Sequence, residues 1–516
     1  MRNATSLALL ALLWAATPAT AQSPDAVRGG NAQPYSRAVA AGYKAAFLCA
    51  GLFNAGRSEA SVETLDLRGI YPDYDDIVPR LAAKLDRASA SVTVMFDARL
   101  PPRRATWRRG EGCTLSPIGA GTPMAMARYA TPPGPAPADP RPWPMGDGGI
   151  APRPSPALAK AVEKAFDGSF GRGSETTGVV VLLDGKIVAE RYREGFGPFA
   201  SNRTWSVAKS IAATLVGAAV YRGEADVNAS AKLGLSDSDP LRAITIDHLL
   251  RMASGRYSDT PGNRTDPLYF GGSSVEEVAL DWPLIASPGS TFRYANNDTL
   301  AAVAAIKATF AAHPPAEFFA KLDMIGTVAE TDWQGNYVLS SQVWATADDL
   351  AKLGELYLND GILPSGERIL PEGWVKYVTT PSGPQPATGT FGYGAGFWLL
   401  NREEGVPPDT FAAIGNRGQY VVIVPSRRVV IVRRGEDPAG AALEVLLGQR
   451  AQQEHLRQHQ QRSRGEQPLR RSTREPAEHD HVVDARRQQH QQYAGDQSDV
   501  IGHQPRHGVR HQRAGE

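Results

Sequence analysis

The sequence predicts an α+β fold: an antiparallel sheet flanked by helices, with a helical region inserted between its strands. Three observations lead there. Branched apolar runs with hairpin turns lie near both ends of the stretch 156–450. Between them, roughly 206–340, apolar residues recur at helical spacing. Strands supplied from both ends of one unit, with helices between, fit one antiparallel sheet carrying an inserted helical block.

The elements follow in order. Residues 1–21 resemble an export signal: Arg2 gives a basic start, Leu7 to Ala16 an apolar run, and Ala19-Thr20-Ala21 a cleavage site before Gln22. The run is too short to span a bilayer comfortably, no cysteine follows it to carry a lipid, and no later segment offers eighteen uninterrupted apolar residues. The expectation is an exported protein without a stable membrane span, periplasmic in a Gram-negative cell. Residues 22–155 form an extension: a helix over Tyr35–Leu52, strands over Ser89–Leu100 and Arg103–Arg109, then a Pro/Gly-rich crossing at 131–156. Cys49 and Cys113 either pair in an oxidising compartment or remain two buried thiols.

A second unit, 156–450, opens with a helix at Pro156–Phe166. Thr177–Leu183 and Lys186–Tyr192 flank Asp184-Gly185 as a hairpin. Helices are predicted over Ser206–Tyr221, Ile246–Met252, Ser274–Asp281, Thr299–Phe310 and Ala345–Leu358. Tyr420–Val424 and Val429–Arg433 form a second hairpin, and a helix at Ala439–Leu447 ends the pattern. Residues 451–516 carry Gln, Arg and His repeats without apolar periodicity, as disorder or a shifted reading frame would produce.

Composition narrows the chemistry. A formal net charge of +1 over 516 residues argues against nucleic acid as the main partner. Eight of the ten histidines lie beyond residue 450, leaving His248 and His313. A Ser-His-Asp triad, a His-rich metal site and a four-thiolate site are therefore disfavoured, and no cofactor motif is present. A hydrolase built from this chain draws its base from lysine or tyrosine.

Ser206 and Lys209 supply that possibility. They lie three residues apart at the start of an apolar helix, so they share a face. A serine hydroxyl needs a neighbouring base to attack a carbonyl, and lysine serves only where desolvation or nearby cations lower its pKa. The high apolar content of Ser206–Tyr221 predicts that burial.

The chain resembles the family of class C beta-lactamases, DD-peptidases and related esterases, in particular its 6-aminohexanoate-dimer hydrolase-like branch. Ser206–Lys209 matches the family's Ser-x-x-Lys element and Tyr294-Ala295-Asn296 its Tyr-x-Asn element. The segment Ile244 to Gly255 is similar as well. The third element departs: where beta-lactamases of the family carry Lys-Thr-Gly on the strand lining the site, this chain reads Gly415-Asn416-Arg417-Gly418-Gln419, with Asn416 in the lysine's place.

The resemblance implies a beta-lactamase/transpeptidase-like fold and an acyl-enzyme reaction on a small-molecule ester or amide. Ser206 is then the nucleophile, Lys209 or Tyr294 the base, and Asn296 a partner of Lys209 or of the substrate. The backbone N–H groups of Ser206 and Gln419 would form the oxyanion hole. Arg417 would restore the missing charge unless the strand turns it away, and Gly418 would permit close approach of substrate. Phe270-Gly271-Gly272, Tyr257 and Trp333 are further pocket candidates, Trp333 having a core position as its alternative. Beta-lactam or D-alanyl-D-alanine peptide hydrolysis, and an exported binding protein that retains the fold without catalysis, are the competing functions.

Overall fold

The computed structural model describes residues 34–438, apart from 70, 122–138, 151, 170, 172, 259–264 and 388. The expectations for 1–21, 439–447 and 451–516 lie outside the described residues.

The chain begins with α1 (Pro34–Phe53), followed by the short helices α2 (Glu59–Leu65) and α3 (Pro72–Asp75). Four antiparallel strands then pair in sequence order: β1 (Ala83–Asp86), β2 (Ser91–Val94), β3 (Arg103–Arg108) and β4 (Gly112–Leu115). The sequence predicted one strand over Ser89–Leu100; β2 is shorter, and β1 was not foreseen because its residues alternate only between half-buried and exposed. α1 packs across this sheet, and a disulfide joins Cys49 in the helix to Cys113 in β4, closing a separation of 64 residues. The pairing alternative for the two cysteines is thus the one realised.

The larger unit follows as α4 (Pro156–Lys164), β5 (Thr176–Leu183), β6 (Lys186–Tyr192), β7 (Asn202–Arg203), α5 (Val207–Tyr221), α6 (Ile246–Leu250), α7 (Asp266–Tyr269), α8 (Asn296–Ala305), α9 (Pro315–Lys321), β8 (Val328–Ala329), β9 (Val343–Ala345), α10 (Ala347–Leu358) and α11 (Trp374–Thr379). It ends with β10 (Gly392–Tyr393), β11 (Trp398–Leu399), β12 (Phe411–Gly415), β13 (Gln419–Val424) and β14 (Val429–Gly435). Seven strands make one antiparallel sheet in the order β10-β11-β12-β13-β14-β5-β6, so first and last strands of the unit meet at β5 and β14. This is the α+β architecture expected, helices flanking an antiparallel sheet.

Period-two alternation explains why β5 is apolar throughout. Val179 and Val181 face α4 with Val162 and Ala189, whereas Val180 and Leu182 face the main core with α5 and α10. Several helical boundaries shift from the sequence reading. Glu276–Leu280 is a π-helical turn, α8 starts earlier at Asn296, and Val343–Ala345 is strand before α10, with Thr346 capping that helix through Asp349 N.

The two units share a core. Phe47 and Tyr43 of α1 pack on Trp205, Phe270 and Trp344 from the larger unit. Gly42 is required there, since a Cβ would lie 2.0 Å from the Phe270 carbonyl oxygen. Glu330 receives hydrogen bonds from Asn54 Nδ2 and Cys113 N, both at 3.0 Å. The extension is therefore built against the segment that leads into α5.

Candidate active site

Three local features aim Ser206. β7 pairs with β9 (Arg203 opposite Trp344), and Thr204 N donates to Val343 O at 2.7 Å. Trp205 then adopts a left-handed backbone, φ 50°, unusual for a bulky residue, and is held there by its ring contacts. Ser206 follows at φ −70°, at the N-terminus of α5, where N–H groups and the helix dipole favour negative charge.

Lys209 lies one turn on and is 2% exposed. Its Nζ is 3.0 Å from Ser206 Oγ, 2.7 Å from Asn296 Oδ1 and 2.9 Å from Ser340 O. Asn296 is fixed in turn by Nδ2 donating to Thr265 Oγ1 at 2.6 Å. Tyr269 shares a 2.6 Å hydrogen bond with Ser340 Oγ. The Tyr294 ring stands 5.1 Å from Lys209 Nζ, and its phenol faces both Ser206 and the Trp398 indole. Ser206, Lys209, Tyr294 and Asn296, predicted from sequence, thus converge at one place.

Burial, with the Arg203 charge second, lowers Lys209 to about 7. Burial also pushes the Tyr294 phenol above its ordinary range, so it holds its proton near neutral pH. These directions divide the labour. A neutral amine has two N–H groups and one lone pair. Asn296 Oδ1 and Ser340 O only accept, so they take the two N–H groups, and the lone pair is left for the Ser206 hydroxyl.

The strand segment 415–419 departs from expectation. Arg417 has a left-handed backbone, φ 59°, and its guanidinium is buried away from Ser206. It bonds Glu436, the Asp437 carbonyl at 2.9 Å and the Leu65 carbonyl at 2.7 Å, tying the extension to the sheet. Gly418 is needed for packing instead of substrate approach: a Cβ would lie 1.7 Å from Arg433 Nη1. Gln419 is fully buried, and its amide bonds Arg434, the Arg417 carbonyl and the Gly435 carbonyl. Asn416 alone of these four is exposed.

The residue that meets the Ser206 backbone is Gly415. Its missing Cβ would sit 2.3 Å from Thr204 O and 3.2 Å from Ser206 N, so only glycine lets β12 lie alongside the Ser206 backbone. A glycine ending a strand was the available signal, and it was not read as a site residue. Among the other pocket candidates, Phe270 is core against α1, and Gly271 and Gly272 abut Pro267 and Ser116 backbone. Tyr257 packs on Trp282 and beneath Arg293, and Trp333 is 41% exposed.

The sequence profile described as Beta-lactamase matches residues 160–434, more than half of the chain. The chain belongs to the beta-lactamase family. A 6-aminohexanoate-dimer hydrolase from Paenarthrobacter ureafaciens is 28% identical over 311 residues, 51% of this chain and 73% of that protein. Among solved structures, a D-stereospecific amidohydrolase from Streptomyces is 16% identical, covering 56% of this chain and 97% of that chain at a TM-score of 0.45. A penicillin-binding protein homologue from Pyrococcus abyssi is 17% identical, covering 56% and 75% at a TM-score of 0.45. No described helix is long and apolar enough to cross a membrane.

Proposed function

We propose that this protein is a serine hydrolase acting through an acyl-enzyme on small esters or linear amides. The observation that carries the reading is the three-way setting of Lys209 Nζ, whose two obligate acceptors leave its lone pair for Ser206. Lys209 takes the Ser206 proton as Oγ attacks the carbonyl carbon. Tyr294, protonated at rest, passes its proton to the leaving oxygen or nitrogen and regains one from the protonated Lys209. A water, giving a proton to the now neutral Lys209, then attacks the acyl carbon and releases the acyl group as the proton returns to Ser206. The Ser206 N–H and a backbone N–H from the Gly415-Asn416 end of β12 stabilise the oxyanion; this end lies against Ser206, whereas Gln419 is buried behind it.

The choice of substrate class rests on charge. Asn416 is uncharged and Arg417 is bonded to Glu436, so the strand end beside Ser206 offers no cation to a substrate carboxylate. Uncharged acyl groups suit it better than beta-lactams or D-alanyl peptides. The test is fluorophosphonate labelling of wild type, Ser206→Ala and Lys209→Met, followed by p-nitrophenyl esters, linear amides and a cephalosporin side by side. Labelling that survives in Ser206→Ala sinks the mechanism, and cephalosporin turnover exceeding ester turnover sinks the substrate class.

A further inference from the structure

Arg203 is a buried cation whose position is otherwise unexplained. It sits three residues before Ser206, 3% exposed. Its guanidinium lies 4.2 Å from the Trp205 ring centroid, 5.0 Å from Phe47, 5.2 Å from Tyr269 and 5.8 Å from Phe270. Among the described residues its side chain hydrogen-bonds Ser341 only, through Nη2 to Oγ at 2.9 Å and Nε to the carbonyl at 3.4 Å. A buried charge without a carboxylate partner is costly, and an arginine keeps its charge at every pH a protein survives.

The place of this charge is informative. Lys209 Nζ donates to the carbonyl of Ser340, and Arg203 grips the next residue, Ser341. Tyr269 bridges them, its ring beside Arg203 and its hydroxyl on Ser340 Oγ. Two cations thus hold neighbouring residues in a dry region, and one of them can shed its proton. Phe47, a wall of the box, comes from α1, so the extension helps to hold Arg203 in place.

We propose that Arg203 is a positioning residue for the reaction: its charge, boxed by aromatic rings and holding Ser341 beside the Ser340 carbonyl that Lys209 binds, extends activity to lower pH. The proposal rests on the reading of Lys209 as base. Burial remains the larger influence on Lys209, with Arg203 second. Among the described residues, the other titratable or charged groups facing this region are Tyr43 on α1, Tyr269 on α7, Tyr294 before α8, Glu330 after β8 and Arg434 on β14. Burial raises the three tyrosines. Arg434 binds the backbone carbonyls of Asn202 and Arg203. Glu330, raised by burial to about 7, senses Arg203 but turns its carboxyl to Asn54 and Cys113.

The experiment measures kcat/KM for p-nitrophenyl acetate, and the fluorophosphonate labelling rate, from pH 5 to 10. In wild type both rise with pH through the Lys209 limb. Arg203→Met is expected to move that limb to higher pH by about one unit, a tenfold loss below it, with the alkaline plateau retained. Arg203→Gln, which keeps a donor for Ser341 without the charge, is expected to do the same and replaces the Met variant should that one misfold. Arg203→Lys should restore the limb, and Glu330→Gln should leave it in place. A limb unmoved in both neutral variants, or moved equally by Glu330→Gln, overturns the proposal. Labelling that persists in Lys209→Met would instead refute the base assignment, a separate result.

Discussion

Two lysines in this protein are equally buried and do opposite things. Lys209 on α5 is 2% exposed and Lys352 on α10 is 3% exposed. Lys352 Nζ lies 2.9 Å from Asp323 Oδ2 and 2.8 Å from the Asp323 carbonyl, and Arg141 reaches the same carboxylate at 2.6 Å. Lys209 meets an amide oxygen, a backbone carbonyl and a hydroxyl, with no carboxylate among them and a cation nearby. Depth is the same; the counter-ion differs. A carboxylate makes a buried lysine half of a structural ion pair, whereas its absence makes the neutral amine the cheaper form.

The contrast can be broken from either side. Lys209→Met is expected to lower kcat/KM on p-nitrophenyl esters by about a hundred- to ten-thousand-fold, read by steady-state and burst kinetics, because it removes the base. Lys352→Met should leave the acid limb of activity unmoved while costing about 3 kcal/mol in urea unfolding, because Asp323 keeps only the half-exposed Arg141. Asn296→Asp makes the first lysine resemble the second. A carboxylate 2.7 Å from Nζ should raise the limb by about 1–3 pH units, so that activity at pH 7 falls by about fivefold or more and recovers only above the shifted limb.

The last effect is thermodynamic. The unfolded chain holds the Lys209 proton up to the ordinary value of 10.5, whereas the folded chain releases it at about 7. Between these values the unfolded state binds more protons, so raising the pH stabilises the fold. Wild type should gain on Lys209→Met by up to about 1.4 kcal/mol per pH unit in this window, measured by urea unfolding at several pH values. A flat difference would mean that Lys209 keeps its proton when folded.

How much of this was visible beforehand depended on distance along the chain. Ser206 and Lys209 could be paired from sequence because one helical turn fixes their relation. Tyr294 and Asn296 were placed by resemblance, since nothing local ties them to a helix some ninety residues earlier. Which way Arg417 points was open in the sequence; a left-handed backbone at that residue, just past β12, turns it to Glu436. Gly415 was passed over because its need for a missing Cβ arises from Thr204, a distant residue. The extension's part in the site was equally hidden: Phe47 reads as one more apolar residue of α1 until Arg203 is found against its ring.

By itself the sequence determined the periodicities that give the sheet and helices, the hydroxyl and amine on one helical face, and the scarcity of histidine that turned the choice of base to lysine or tyrosine. These are local or compositional properties, fixed by covalent order. The tertiary structure decided which charges acquired partners. It gave Lys352 an aspartate, turned Arg417 to Glu436, boxed Arg203 in rings and, among the described residues, gave Lys209 neutral oxygens. Desolvation and Coulomb interactions act through space, so the protonation state of a buried amine is settled by neighbours that the chain order does not name.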